Sequence, residues 1–174
     1  MRTLIVFEGP VYSCGMESAP LPEPRMSASI GTRMSLLGLV GAVLALVGLM
    51  STHSAFGVGP ISIGVQVAAA LLMVWARMTF GLRSFHAGAN PTAGDLVTRG
   101  PFAFVRNPIY AAVILFAWTG VVVHFSLESA LLGVVVVLGM LVRVFFEEKL
   151  LRVQYGPAYA EYEKRVKRLV PWVF

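Results

Sequence analysis

Arg143 and Glu147 stand four residues apart, one helical turn, at the end of a long apolar run, and Glu148 lies next to them. Acidic side chains at the edge of hydrocarbon are costly unless paired, and the i, i+4 spacing gives Glu147 a cation. A structural ion pair explains that much. It does not explain a second, adjacent carboxylate, and ionisable groups gathered at a membrane surface define a candidate site. A second stretch, Arg99-Gly100-Pro101-Phe102-Ala103-Phe104-Val105-Arg106-Asn107-Pro108-Ile109-Tyr110, is rich in turn residues and precedes another apolar run. Asn107-Pro108 reads as a helix start, because Asn is a good N-cap and Pro suits the first helical position. The same helix N-terminus also offers free N–H groups to an anion such as a ligand carboxylate. Farther on, Tyr155 and Tyr159 flank Gly156-Pro157, and aromatic faces attract cationic ligands.

The elements that must position these residues are apolar helices. Of the 174 residues, 57% are hydrophobic and 13% charged, and the mean hydropathy is +0.76, a membrane-protein composition. Four spans are expected, over residues 35–51, 61–80, 109–125 and 129–146. The first, seventeen residues, extends about 25 Å, enough to cross a hydrocarbon core. Gly41, Ala45, Gly48 and Thr52 fall on one face of it, as do Gly38 and Ala42, a small-residue spacing that lets helices approach closely. Arg77 near the end of the second span can snorkel to the headgroups. The predicted fold is therefore an all-α, polytopic membrane helical bundle with about four transmembrane helices. Residues 1–33 read as a flexible tail, and residues 34–174 as a single domain whose polar segments are 84–108 and 147–174. A helical C-terminal segment is expected to break at Gly156-Pro157, and the basic run Lys164 to Arg168 reads as helix lying on the membrane surface.

Every Lys and Arg lies in the tail, the 84–108 loop, the C-terminal segment or the span ends facing them, while the connectors 52–60 and 126–128 carry none. Positive loops stay inside, so both termini are expected in the cytoplasm and the site at the cytoplasmic face. The formal charge of +5 is accounted for by orientation and anionic headgroups, with no solvated basic patch suited to nucleic acid. Composition fits a GC-rich bacterial genome and hence an inner-membrane location. One cysteine, Cys14, excludes an intrachain disulfide framework. No phosphate-binding glycine loop, nucleophile elbow or metal-spaced His pair is present, and His53, His86 and His124 read as ordinary residues.

The polar stretches resemble the isoprenylcysteine carboxyl methyltransferase and phospholipid methyltransferase family of integral membrane enzymes. The resemblance rests on Leu96 to Tyr110, on Arg143-Val144-Phe145-Phe146-Glu147-Glu148-Lys149-Leu150, on Tyr155-Gly156-Pro157-Ala158-Tyr159-Ala160-Glu161-Tyr162 and on Val166 to Pro171, roughly the C-terminal half. It implies a transferase that uses S-adenosylmethionine in a cytoplasmic pocket roofed by the C-terminal segment, with the acceptor arriving laterally from the lipid. The family's Arg-His-Pro-x-Tyr motif and Glu-Glu pair map here onto Arg106, Asn107, Pro108, Tyr110, Glu147 and Glu148. Asn107 replaces the histidine, and Phe102 and Phe104 replace tyrosines. Asn donates and accepts hydrogen bonds but carries no proton for acid–base work.

On this resemblance the cofactor is expected to meet Arg106, Asn107, Pro108, Tyr110, Glu147, Glu148, Tyr155 and Tyr159. Glu147 and Glu148 would take its ammonium or ribose, and Arg106 or the amides of the Pro108 helix its carboxylate. Arg143 and Glu147 are the expected catalytic residues, Arg143 pairing with Glu147 or orienting an anionic acceptor. No metal is called for. The acceptor is a lipophilic or lipidated molecule; its identity, and the oligomeric state, are not legible. Two other readings stay open: an NADPH-dependent membrane reductase of the sterol-reductase type, and a non-catalytic membrane scaffold, which the Asn107 departure favours.

Overall fold

A computed structural model describes residues 25–80 and 96–171. Five α-helices carry these residues: α1 (Arg25–Ser51), α2 (Pro60–Phe80), α3 (Pro108–Val123), α4 (Leu127–Tyr155) and α5 (Pro157–Arg165). A short 3₁₀ turn, Gly100–Ala103, precedes α3. The described residues contain no strand, only an isolated parallel bridge between Val105 and Lys167. Three helices are long and apolar enough to cross a membrane, within 31–51, 60–80 and 127–155, and the shorter apolar α3 packs beside them. The molecule is a helical membrane bundle.

The helices differ from the expected spans mainly at their ends. α1 begins at Arg25, so the last nine residues assigned to the tail are helical; the rest of the tail, 1–24, lies outside the described residues. α2 and α3 follow their predicted runs closely. α4 has 29 residues and extends about 43 Å, more than a ~30 Å hydrocarbon core requires. Hydropathy ends its apolar part near Phe146, but Lys149, Arg152, Val153 and Gln154 are exposed on a helix that continues past that edge. It stops at Gly156, whose φ of 49° suits glycine. Pro157 then opens α5, the break expected there. At its other end α4 starts from a reciprocal cap: Ser126 Oγ accepts from Ser129 N at 3.0 Å, and Ser129 Oγ accepts from Ser126 N at 2.9 Å.

α1 lies along α4, and α3 bridges α2 and α4. Gly38 and Gly139 set the α1–α4 approach: a Cβ on Gly139 would stand 2.4 Å from the Gly38 carbonyl oxygen, and one on Gly38 2.8 Å from that of Gly139. The Gly38–Ala42 face is packed, with Ala45 and Leu49 in the same core; on the second stripe Gly48 lies against Leu132, while Gly41 meets nothing within 4 Å. At the far end, Gln66 is buried on α2 and fully used. It donates to the carbonyls of Ala55 (2.8 Å) and Phe116 (3.1 Å) and accepts from Gly57 N (2.9 Å). Two of these bonds satisfy backbone groups of the connector, at Ala55 and Gly57, and the third ties α2 to α3.

Candidate functional site

The start of α3, the last three turns of α4, α5 and the segment after it meet at one end of the bundle. From Leu127 to Glu147 there are twenty residue steps, about 30 Å of helix, the length of a hydrocarbon core, with the two carboxylates at its end. Successive helical residues point ~100° apart, and Glu147 and Glu148 enter different surroundings.

Glu148 is fully buried. Its carboxylate accepts from Asn107 Nδ2 at 2.9 Å and from Arg168 Nε at 2.9 Å. Arg168 Nη2 (2.9 Å), Arg106 Nη2 (3.4 Å) and Arg152 Nη2 (3.6 Å) complete the cage. A second carboxylate, Glu163 of α5, takes Arg106 Nη1 at 2.5 Å and Arg152 through Nε at 2.9 Å and Nη2 at 2.6 Å. Hydrogen bonds from Arg152, with Arg106 nearby, hold the Glu163 carboxyl below the usual carboxylate range. Two carboxylates and three guanidiniums thus tie α3, α4, α5 and the following segment into one frame.

Glu147 is only half-buried. It accepts a hydrogen bond from the Tyr110 hydroxyl, which itself accepts from Arg143 Nε at 2.8 Å. The Arg143 guanidinium carbon also lies 5.9 Å from the Tyr110 ring centroid. The Arg143–Glu147 relation expected from the one-turn spacing is therefore joined through Tyr110.

Asn107 occupies the N-cap position of α3 and Pro108 its first turn, as expected, but the Asn107 side chain makes no cap bond. Its amide turns instead to Glu148 and to the Arg168 carbonyl, 3.3 Å away. Tyr159 is buried, with its ring 5.9 Å from that of Tyr162 in a T-shaped contact, and Tyr155 packs on the same cluster. The Tyr162 hydroxyl donates to the Phe102 carbonyl at 2.6 Å. Burial raises both the Tyr159 and the Tyr162 hydroxyl pKa, leaving them neutral. These tyrosines form an apolar plug between α5 and the 3₁₀ turn.

The chain Lys164 to Arg168 corrects the expected surface helix. α5 ends at Arg165, and the next residues run extended beside the α3 entrance: Arg106 N donates to the Lys167 carbonyl at 2.8 Å and Asn107 N to the Arg168 carbonyl at 3.1 Å. Burial of Val166 and Leu169 anchors this strap. Arg152, Glu163 and Arg168 are thus site residues that the sequence alone does not point to. Their partners are too distant in the chain for spacing to reveal.

A polytopic helical membrane protein with a buried ionic frame and, at the same end, a buried arginine joined through a tyrosine to a half-buried glutamate is the class this arrangement defines. The family model for phospholipid methyltransferases matches residues 54–158, more than half of the chain, and the chain belongs to that family. It is a membrane methyltransferase by family, the first of the three readings left open by the sequence. Among curated proteins and among solved structures, nothing matches it. The matched region contains Asn107, Tyr110, Arg143, Glu147 and Glu148; α1 and the strap lie outside it.

Proposed function

We propose that this protein transfers a methyl group from S-adenosylmethionine to a lipophilic acceptor, at the end of the bundle where α3 begins and α4 leaves the membrane. Positive charge concentrated at that end supports a cytoplasmic location for it, and the apolar helices around it support access for the acceptor from the lipid. The observation carrying the proposal is the contrast between the two carboxylates. Glu148 is saturated by protein donors, whereas Glu147 has exposed surface beside a tyrosine and an arginine.

The residues fit the donor's functional groups on the Glu147 side. Glu147 would hold the ammonium. The first-turn amides of α3 have no intrahelical carbonyl to pair with and would hold the carboxylate. Arg106 and Glu148, expected to bind the cofactor directly, would act through the frame that fixes these groups. Tyr155 and Tyr159 would contribute the packed wall behind them. When bound, S-adenosylmethionine supplies a methyl group activated by a positively charged sulfur.

Arg143 and Tyr110 orient the Glu147 carboxylate, and the Arg143 guanidinium also suits an anionic acceptor group such as a carboxylate or phosphate. Asn107, spent on the frame, moves no proton. Catalysis then consists of alignment and exclusion of water, not acid–base transfer at residue 107. The test is a labelled-methyl transfer assay with total membrane lipid, run beside titration with S-adenosylhomocysteine. Wild type should bind the product and label a lipid; Glu147→Gln should lower affinity and turnover by about tenfold or more, as loss of a charge-assisted bond does. Equal affinity and turnover in a folded Glu147→Gln protein would remove Glu147 from the site.

A further inference from the structure

We infer that Arg168 is a positioning residue: through Glu148 it clamps the strap against α3 and thereby sets the direction of Glu147. This rests on the proposed methyl-donor site. Arg168 makes both kinds of contact that such a clamp needs. Its side chain holds Glu148 Oε2 by two nitrogens at 2.9 Å, while its carbonyl accepts from the Asn107 backbone N at 3.1 Å and side-chain Nδ2 at 3.3 Å. One residue therefore joins the strap, the α3 entrance and α4.

The consequence reaches Glu147 by geometry. With Glu148 fixed toward the strap, its neighbour is turned ~100° around α4, toward Tyr110, one turn into the helix that Asn107 begins. Both sides of the Tyr110–Glu147 contact are thus held by the clamp, one through the α4 backbone and one through the α3 entrance. Removing Arg168 still leaves Glu148 with Asn107, Arg106 and Arg152, so the protein should fold while its alignment loosens.

The sign of the effect separates this role from direct cofactor binding by Glu148. Were Glu148 a ligand for the donor's ammonium, Arg168 would compete with that ammonium, and Arg168→Gln would tighten binding. A positioning role predicts weaker binding. The experiment uses the full chain in lipid nanodiscs, as wild type, Arg168→Gln, Arg168→Lys and, as a surface control, Lys164→Gln. It measures S-adenosylhomocysteine affinity, thermal midpoint, and deuterium exchange of peptides covering 104–107 and 166–169.

Arg168→Gln is expected to weaken binding about tenfold, a usual size for coupling between distinct groups, and to speed exchange in both peptides. Its thermal midpoint should fall less than that of Glu148→Gln, because Arg106 and Arg152 still face the carboxylate. Arg168→Lys should recover most of the affinity, because it keeps the charge, and Lys164→Gln should match wild type throughout. Tighter or unchanged binding by Arg168→Gln, or unaltered exchange at 104–107, would overturn the positioning role while leaving the methyl-donor site intact. Failure of wild type itself to bind would instead overturn the donor site and, with it, the role built on it.

Discussion

Glu147 and Glu148 are neighbours in sequence and opposites in surroundings. Glu148 is enclosed by three guanidiniums and an amide; Glu147 keeps exposed surface and leans on a tyrosine hydroxyl. A buried carboxylate whose acceptor positions are taken builds structure, because any ligand must first displace charged partners in a poorly solvated place. A carboxylate with spare capacity at the boundary can exchange partners. Adjacent identical residues thus face different surroundings, and the ~100° rotation between successive helical residues is what separates them.

The sharpest way to break this comparison is to neutralise each carboxylate in turn. Glu148→Gln leaves Arg106, Arg152 and Arg168 facing one another with less compensation. Removing one side of a buried ionic cluster costs about 3–5 kcal/mol, so a large drop in thermal midpoint and release of the strap are expected. Glu147→Gln should cost less, about 1.5–3 kcal/mol for one weakened hydrogen bond to a charged group, while carrying the loss of affinity predicted above. Parallel unfolding and binding measurements check the pair. Equal destabilisation by both substitutions would erase the distinction.

A smaller change sharpens the Glu147 side. Tyr110→Phe keeps the ring beside Arg143 but deletes the hydroxyl between Arg143 and Glu147. A stability loss of roughly 1.5–3 kcal/mol and a several-fold fall in turnover are expected, with donor affinity reduced less than by Glu147→Gln. Steady-state kinetics with varied donor would show it. A Tyr110→Phe protein as impaired in donor binding as Glu147→Gln would place the hydroxyl itself on the ligand.

How much of this was visible in the sequence follows the range of each interaction. The bundle was legible because each apolar run is continuous and the lipid imposes a length. The ends were not, since hydropathy marks where hydrocarbon stops and α4 runs on to Gly156. Arg143 and Glu147 were legible from their one-turn spacing, and Tyr110 only through the family motif it completes. The role of Asn107 was half legible: its position as N-cap follows from Pro108, but its side chain goes to a carboxylate 41 residues away. Arg168 and Glu163 were hidden for the same reason, with Arg106 and Glu163 separated by 57 residues. A basic run reads as surface helix until the carboxylates that draw it inward are known.

The smallest expected effect concerns pH and tests whether the frame is one unit. Glu163 has a folded pKa below its unfolded one, chiefly through its hydrogen bonds from Arg152. A carboxylate of this kind stabilises the folded state fully above its unfolded value, about 4.3, and its contribution disappears as pH falls through the lower, folded value. Acidification below about pH 4 should therefore loosen α5 by up to ~1 kcal/mol, discounted because Glu163 retains some solvent contact. Hydrogen exchange of the α5 amides against pH is the readout. Glu163→Gln should flatten that portion of the profile while leaving α5 as labile at neutral pH as the acidified wild type. An unchanged acid profile in Glu163→Gln would mean that α5 is held by the Tyr159–Tyr162 plug alone, and that the ionic frame ends at Glu148.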